Sequence, residues 1–112
     1  MSDCLFFKII RGEIPCSKVY EDQNYYAFND INPQAPTHIL VVAKRHIDKI
    51  SSMTEGDCEM VGGLFKVAAG ICAEKSITDY RLVINNGAAV GQSVFHIHLH
   101  VLAGRPMGWP PG

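Results

Sequence analysis

The residues best suited to chemistry lie in one run, Gly91-Gln92-Ser93-Val94-Phe95-His96-Ile97-His98-Leu99-His100-Val101, which holds three of the chain's five histidines. Side chains of a β-strand alternate between its faces. On a strand over 95–103, His96, His98 and His100 would share one face, and Phe95, Ile97, Leu99 and Val101 the other. The apolar face can anchor in a core while the imidazoles face a cleft. Just before them, Asn85-Asn86-Gly87-Ala88-Ala89-Val90-Gly91 reads as a glycine-flanked turn able to present backbone N–H groups. Imidazoles beside free amides suit the handling of an anionic group such as a phosphate.

Three readings of the row compete. Incidental surface histidines would not keep so strict an alternation with apolar residues. A metal site is the second reading, since His-x-His on one strand can hold zinc or iron with a third ligand from elsewhere. At about 3.3 Å per residue, however, His96 and His100 lie about 13 Å apart, too far to share one ion. No carboxylate or cysteine stands out as a third ligand, so no metal and no cofactor is expected. The third reading is nucleophilic catalysis. A neutral imidazole has one bare nitrogen, and its other nitrogen must carry the proton. A backbone carbonyl can fix that tautomer. Attack on phosphorus then yields a phosphohistidine that water hydrolyses.

Gly91, Gln92 and Ser93 would supply amides to the phosphate, and Ser93 a hydroxyl to the leaving group. Asn85 can donate to the phosphate or sugar side. Asp30 precedes Pro33 in an irregular stretch, where an acid often caps a turn. Phe6, Ile9, Phe28 and Ile31 read as plain core. His46 reads as a polar strand-end residue, with Lys44 and Arg45 beside it as a solvated face.

The elements around the row make an α+β domain of 112 residues, 47% of them apolar. Leu5–Arg11 has a helical apolar face and ends at Gly12. Lys18–Glu21 and Tyr25–Asn29 read as a hairpin across Asp22-Gln23-Asn24. Pro33 and Pro36 break regularity up to His38–Ala43, a buried strand. Thr54 and Asp57 fit a capping box. The helix that follows runs to about Lys75 on an apolar face of Met60, Leu64, Val67, Ala68 and Ile71. Gly62, Gly63 and Gly70 weaken its propensity by about 1 kcal/mol each, so packing must hold it. Tyr80–Asn85 is the last strand before the glycine turn. One domain spans 1–112.

Ten basic and eleven acidic residues give a net charge of −1. That disfavours a nucleic-acid polymer or an anionic membrane as partner, because both select basic surfaces. No apolar run approaches the roughly 20 residues of a membrane span. Met1-Ser2-Asp3 has no basic leader. The cysteines at 4, 16, 58 and 72 form no close pair, which suits free thiols in a reducing cytoplasm.

Gly91-Gln92-Ser93-Val94-Phe95-His96-Ile97-His98-Leu99-His100 resembles the signature of the histidine-triad superfamily, in particular the Hint branch of histidine triad nucleotide-binding proteins. Phe28-Asn29-Asp30-Ile31-Asn32-Pro33-Gln34-Ala35-Pro36-Thr37-His38 and the ending Gly104-Arg105-Pro106-Met107-Gly108-Trp109-Pro110-Pro111-Gly112 carry the same likeness. The resemblance implies an antiparallel sheet with one long and one short helix, paired into a homodimer through a helix and a strand. It implies hydrolysis of purine nucleoside 5′-phosphoramidates, with nucleoside monophosphates bound. In that likeness His98 is the nucleophile, His96 and His100 hold the hydrogen-bond network, and His38 lines the pocket. Asp30 takes the ribose hydroxyls, and Phe6, Ile9, Phe28 and Ile31 sandwich the base. Trp109 reaches toward the partner's leaving-group side. A nucleotide-binding regulator with incidental turnover is the alternative. Some relatives hold a structural zinc with Cys-x-x-Cys and a histidine like His46. Here Leu5-Phe6-Phe7 follows Cys4, so the second cysteine is missing.

Overall fold

The computed structural model describes residues 4–112; Met1-Ser2-Asp3, read above for want of a leader, lies outside them. The strands are β1 (Lys18–Glu21), β2 (Tyr25–Asn29), β3 (Thr37–Ala43), β4 (Arg81–Val83) and β5 (His98–Ala103). They form one antiparallel sheet in the order β1-β2-β3-β5-β4. Helix α1 (Leu5–Ile10) and helix α2 (Cys58–Glu74) complete the frame. No helix among the described residues is long and apolar enough to cross a membrane.

Alternation along the central strands sorts the core into two halves. Ile39, Val41 and Ala43 of β3 join Leu99 and Val101 of β5 against Leu64, Ala68 and Ile71 of α2. Leu40 and Val42 turn the other way and meet Tyr26 and Phe28 of β2 and Phe6 and Ile9 of α1. Each fully buried Leu or Ile contributes about 1.5–3 kcal/mol, so both halves matter to so short a chain. The even-numbered face of β3 and β5 therefore carries His38, His98 and His100 toward α1.

Local chemistry sets the joins. Asp22 Oδ1 accepts the backbone N–H groups of Asn24 and Tyr25, both at 2.8 Å, and so turns the β1–β2 hairpin. Thr54 and Asp57 form the expected capping box, with Thr54 N–H on Asp57 Oδ2 at 2.8 Å. The box caps a 3-10 turn, Glu55–Asp57, that leads into α2 rather than α2 itself. Of the three glycines in α2, only Gly63 is required by contact. A Cβ there would collide with the Tyr25 hydroxyl, which donates to Met60 O at 2.7 Å. Tyr25 thus pins the helix to the start of β2.

The histidine strand is shorter than its alternation predicts. It begins at His98, not Phe95, because its partner ends: Val42 pairs with His98, and beyond Ala43 the chain turns away. Ile97 N–H instead donates to Ile47 O at 2.7 Å. Phe95 does not anchor the core; it is 45% exposed, beneath Lys49 Nζ at 6.0 Å from the ring centre. Ile97, Leu99 and Val101 do anchor, at 1% exposure or less.

Candidate active site

His98 and His100 enter the site from β5, and His38 from β3. Their strands are adjacent, with Leu40 opposite His100 and Leu102 opposite His38. The His98 and His100 rings lie 5.0 Å apart between centres, and those of His38 and His100 5.2 Å. Phe6 of α1 packs edge-on against His98 at 4.9 Å and against Phe28 at 5.6 Å.

Backbone partners assign the proton positions, because a carbonyl only accepts and an amide N–H only donates. His98 Nδ1 lies 2.8 Å from His96 O, so it carries the proton and donates. His98 Nε2 is therefore bare. Gln34 N–H donates to His38 Nδ1 at 3.0 Å, which drives the His38 proton to Nε2. That N–H donates to His100 Nδ1 at 2.9 Å, so His100 keeps its proton on Nε2. The result is a bare nitrogen on His98 beside an N–H on His100. His96 is fully buried and donates from Nε2 to Ala43 O at 2.8 Å, leaving Nδ1 bare toward Cys4 Sγ at 3.3 Å.

Burial holds all four rings neutral. It pushes His96 and His100 down to about 4, aided by neighbouring histidines. It also lowers His38 and His98, opposed by the Asp30 charge. Asp30 combines two roles weighed above. Its Oδ1 accepts Asn32 N–H at 2.9 Å as a turn cap, while Oδ2 lies 3.4 Å from His38 Nε2.

Phe6, Ile9 and Phe28 are buried at the site wall, whereas Ile31 is 95% exposed and packs against nothing as a base-sandwiching wall would. Gln92 corrects its expected role. Its side chain accepts from Gly87 N–H at 2.8 Å and donates to Asp48 O and Val94 O at 2.8 and 3.2 Å. The Gly91 and Gln92 amides are also spent inside the loop, on Ala88 O and Gly87 O. Of the three expected amides, only that of Ser93 is left for an anion. Gly91 is needed for its left-handed φ of +109°, and Asn85 Nδ2 lies beside it. Ser93 is exposed and lines a cavity of about 490 Å³ with Cys4, His46 and Asp48. Trp109 is 84% exposed. Its tail is tied by Arg81 Nη2 to Gly108 O at 3.0 Å and by Arg105 Nε to Gln34 O at 2.9 Å.

The HIT domain family model matches residues 11–107 of the chain. An uncharacterized HIT-like protein of Synechocystis sp. is 52% identical over 98% of this chain and 97% of its own. The chain belongs to the HIT domain family. A 14 kDa zinc-binding protein of Zea mays is 47% identical over 99% of this chain and 89% of its own. The crystal structure of a HIT family hydrolase from Legionella pneumophila matches with a TM-score of 0.94 at 46% identity, covering 98% of this chain and all of that one. A histidine triad protein from Clostridium difficile matches at 0.91 and 44% identity, covering 96% of each. The antiparallel sheet with one long helix is thus the HIT fold.

Two groups of side chains in this HIT domain have metal-ligand chemistry, each with its ligand atoms within 4.8 Å of one another: Asp30, His38 and His100, and Cys4, His46 and His96. The sequence reading found no third ligand for the histidines. The fold supplies one in Cys4, brought by α1 across 92 residues of chain. In the first group the nitrogens already bond each other. In the second, His46 Nδ1 is the one buried side-chain polar atom among the described residues with no hydrogen-bond partner. Leaving such an atom unpaired costs about 1–3 kcal/mol. Cys4, His46 and His96 therefore fit a zinc-class ion, with three ligands rather than four. The family resemblance raised Cys4 and His46 and left the site in doubt for want of a second cysteine; the fold adds His96 as their partner, 92 residues from Cys4 in the chain.

Proposed function

We propose that this HIT protein hydrolyses purine nucleoside 5′-phosphoramidates through a nucleotidyl-histidine at His98. The observation that carries the reading is the ordered pair of nitrogens, bare at His98 Nε2 and protonated at His100 Nε2. His98 Nε2 attacks phosphorus while the His100 Nε2–H donates a hydrogen bond to a phosphoryl oxygen; the P–N bond breaks and the amine leaves with a proton taken from solvent. Water then attacks phosphorus, gives up a proton to solvent, and breaks the P–Nε2 bond. The net products are a nucleoside monophosphate and an amine. Covalent catalysis of this kind splits one difficult step into two easier ones. The similarity to HIT family hydrolases of Legionella pneumophila and Clostridium thermocellum supports hydrolysis as the reaction type.

Substrate selection follows from the walls. Phe6 and Phe28 offer apolar surface to a base, and Ile9 backs them. Ile31, exposed beside Asp30, offers the base an outer wall. Asp30 Oδ2 is oriented as an acceptor for ribose hydroxyls. The Ser93 amide and hydroxyl serve the phosphate and leaving group, and Asn85 supports the loop that carries them. A zinc-class ion, where bound, would be held by Cys4, His46 and His96 and would organise structure there; every step above uses the chain's own groups.

We further propose a homodimer. β4 is a short edge strand with one side unpaired, and α2 presents Phe65 at 41% exposure on its outer face. Edge strands left open in this way invite pairing. Trp109 then borders the other subunit's site. Four unpaired thiols suit a reducing, cytoplasmic compartment. The test is hydrolysis of adenosine 5′-phosphoramidate by chelator-treated protein. Full activity supports the reading, and a strict need for added metal overturns it.

A further inference from the structure

The tautomers of His38 and His100 depend on one backbone N–H, and a residue outside the site holds it. Gln34 N–H donates to His38 Nδ1 at 3.0 Å, so His38 carries its proton on Nε2 and donates to His100 Nδ1. Burial keeps both rings neutral, so each has a tautomer to choose. The pair is an ordered chain of protons that can run either way. In the reversed chain His38 is protonated at Nδ1, His100 Nδ1 donates to His38 Nε2, and His100 Nε2 carries a lone pair. Two donors, the Gln34 N–H and the His38 Nδ1–H, would then face each other, so reversal requires Gln34 to move away. Asp30 Oδ2, 3.4 Å from His38 Nε2, opposes reversal as well, since it would face a bare nitrogen.

Gln34 is exposed and lies outside any strand or helix. Its side chain donates from Nε2 to Asn32 O at 3.1 Å, within the same loop. The start of the C-terminal tail fixes that loop from outside. Thr37 pairs with Ala103 at the last rung of the β3–β5 ladder. One residue further, Pro36 packs on Gly104, where φ is +99° and a Cβ would come within 2.9 Å of the proline Cβ. Beyond that contact, Arg105 Nε donates to Gln34 O at 2.9 Å while its Nη1 donates to Pro106 O at 3.0 Å. The guanidinium thus joins loop and tail, 71 residues apart in the chain. We propose that Arg105 is a positioning residue: by holding Gln34 against His38 it fixes the direction of the His38–His100 proton chain, and so keeps an N–H rather than a lone pair on His100 Nε2.

The consequence for substrate rests on the proposed reaction, in which His100 Nε2–H donates to a phosphoryl oxygen. In the forward chain an N–H meets that oxygen. In the reversed chain two lone pairs face each other. A bound phosphate and Arg105 therefore favour the same direction, and by linkage each strengthens the other. The role needs the fork of the guanidinium, whose Nε and Nη1 hold two carbonyls in a fixed geometry.

The experiment is heteronuclear NMR of the histidine ring nitrogens in the full-length protein without ligand, above about pH 7, where the rings are neutral. Protonated and bare imidazole nitrogens resonate in separate ranges. In the unaltered protein His38 and His100 should both be bare at Nδ1 and protonated at Nε2. Arg105→Ala should move all four shifts toward the opposite tautomer, as the reversed-to-forward ratio rises about three- to tenfold, the span of one ordinary hydrogen bond. Gly104→Ala, which displaces Pro36, should move them the same way. Arg81→Ala, which frees the tail at Gly108 and leaves Gln34 held, should leave them in place. Shifts unchanged in Arg105→Ala, or moved as far in Arg81→Ala, overturn the role of Arg105. Saturating adenosine monophosphate should return the Arg105→Ala shifts to those of the unaltered protein. Shifts that stay displaced with the nucleotide bound overturn the coupling to phosphate alone, and neither arm depends on turnover.

Discussion

At the scale of single residues, the catalytic argument depends on neutral imidazoles with assigned protons. Burial lowers His38, His98 and His100, the last to about 4. Their folded pKa values lie below the unfolded value of about 6.5, so the unfolded chain binds more protons in acid. The stability they contribute is full above about pH 6.5 and is lost as pH falls toward 4. Activity should follow, staying level from pH 8 to 6.5 with its acid limb displaced below 6.5; a pH–rate profile checks this, and a limb at 6.5 or above would mean exposed rings. Asp30 makes a second case. Charge-assisted hydrogen bonds contribute about 1.5–3 kcal/mol, so Asp30→Asn should cut the preference for ribo- over deoxyribo-substrates about tenfold or more. Equal losses on both substrates, measured as kcat/KM, would leave Asp30 as the turn cap on Asn32 alone. The histidine row and Asp30 were legible in the sequence, since their types and spacing carry the signal. Gln34 was not, because it acts through a backbone N–H that every non-proline residue has. The amides of Gly91 and Gln92 misled for the related reason that a loop N–H can serve an anion or its own loop, and only the fold decides which.

At the scale of elements, apolar periodicity and turn residues located every strand and both helices. What they could not locate was where pairing stops. β5 begins at His98 because β3 ends at Ala43, a fact about the partner strand. The glycines of α2 separate local from tertiary reasoning in the same way. Intrinsic propensity treats Gly62, Gly63 and Gly70 alike. In the fold, a Cβ at Gly62 or Gly70 meets nothing within 4 Å, whereas at Gly63 it meets the Tyr25 side chain. Gly62→Ala and Gly70→Ala should therefore stabilise by up to about 1 kcal/mol. Gly63→Ala should destabilise by about 1–3 kcal/mol despite the better propensity. Thermal denaturation checks the pair, since 1 kcal/mol moves Tm by about 4–8 °C in a domain of this size. A stabilised Gly63→Ala would mean that Tyr25 swings aside at no cost.

At the scale of the whole molecule, the chain leaves large apolar side chains in water: Trp109 at 84% and Val90 at 64%, besides Phe65 on α2. The tail that carries Trp109 is fastened at Arg81 and Arg105 yet does not bury its tryptophan. This is the pattern expected of a tail completed by a second copy. Deleting 105–112 should leave the protein folded and dimeric and keep nucleoside monophosphate binding within about tenfold, or about 1.4 kcal/mol. Relative rates across phosphoramidates that share adenosine but differ in amine should change by more than that. Unchanged relative rates, or a monomer by light scattering at micromolar concentration, would contradict the arrangement. No pattern within one chain marks which exposed face a partner covers, and only the family resemblance pointed to a dimer.

The central claim is that His98 Nε2, left bare by the bond from Nδ1 to His96 O, becomes bonded to phosphorus. Intact-mass spectrometry of the protein quenched during turnover of adenosine 5′-phosphoramidate tests it most directly. The account predicts a transient adduct of one adenosine monophosphate per chain, mapped to His98 and absent from His98→Gly, which should also lack turnover. Turnover without any adduct on rapid quenching, or an adduct that persists in His98→Gly, would contradict it.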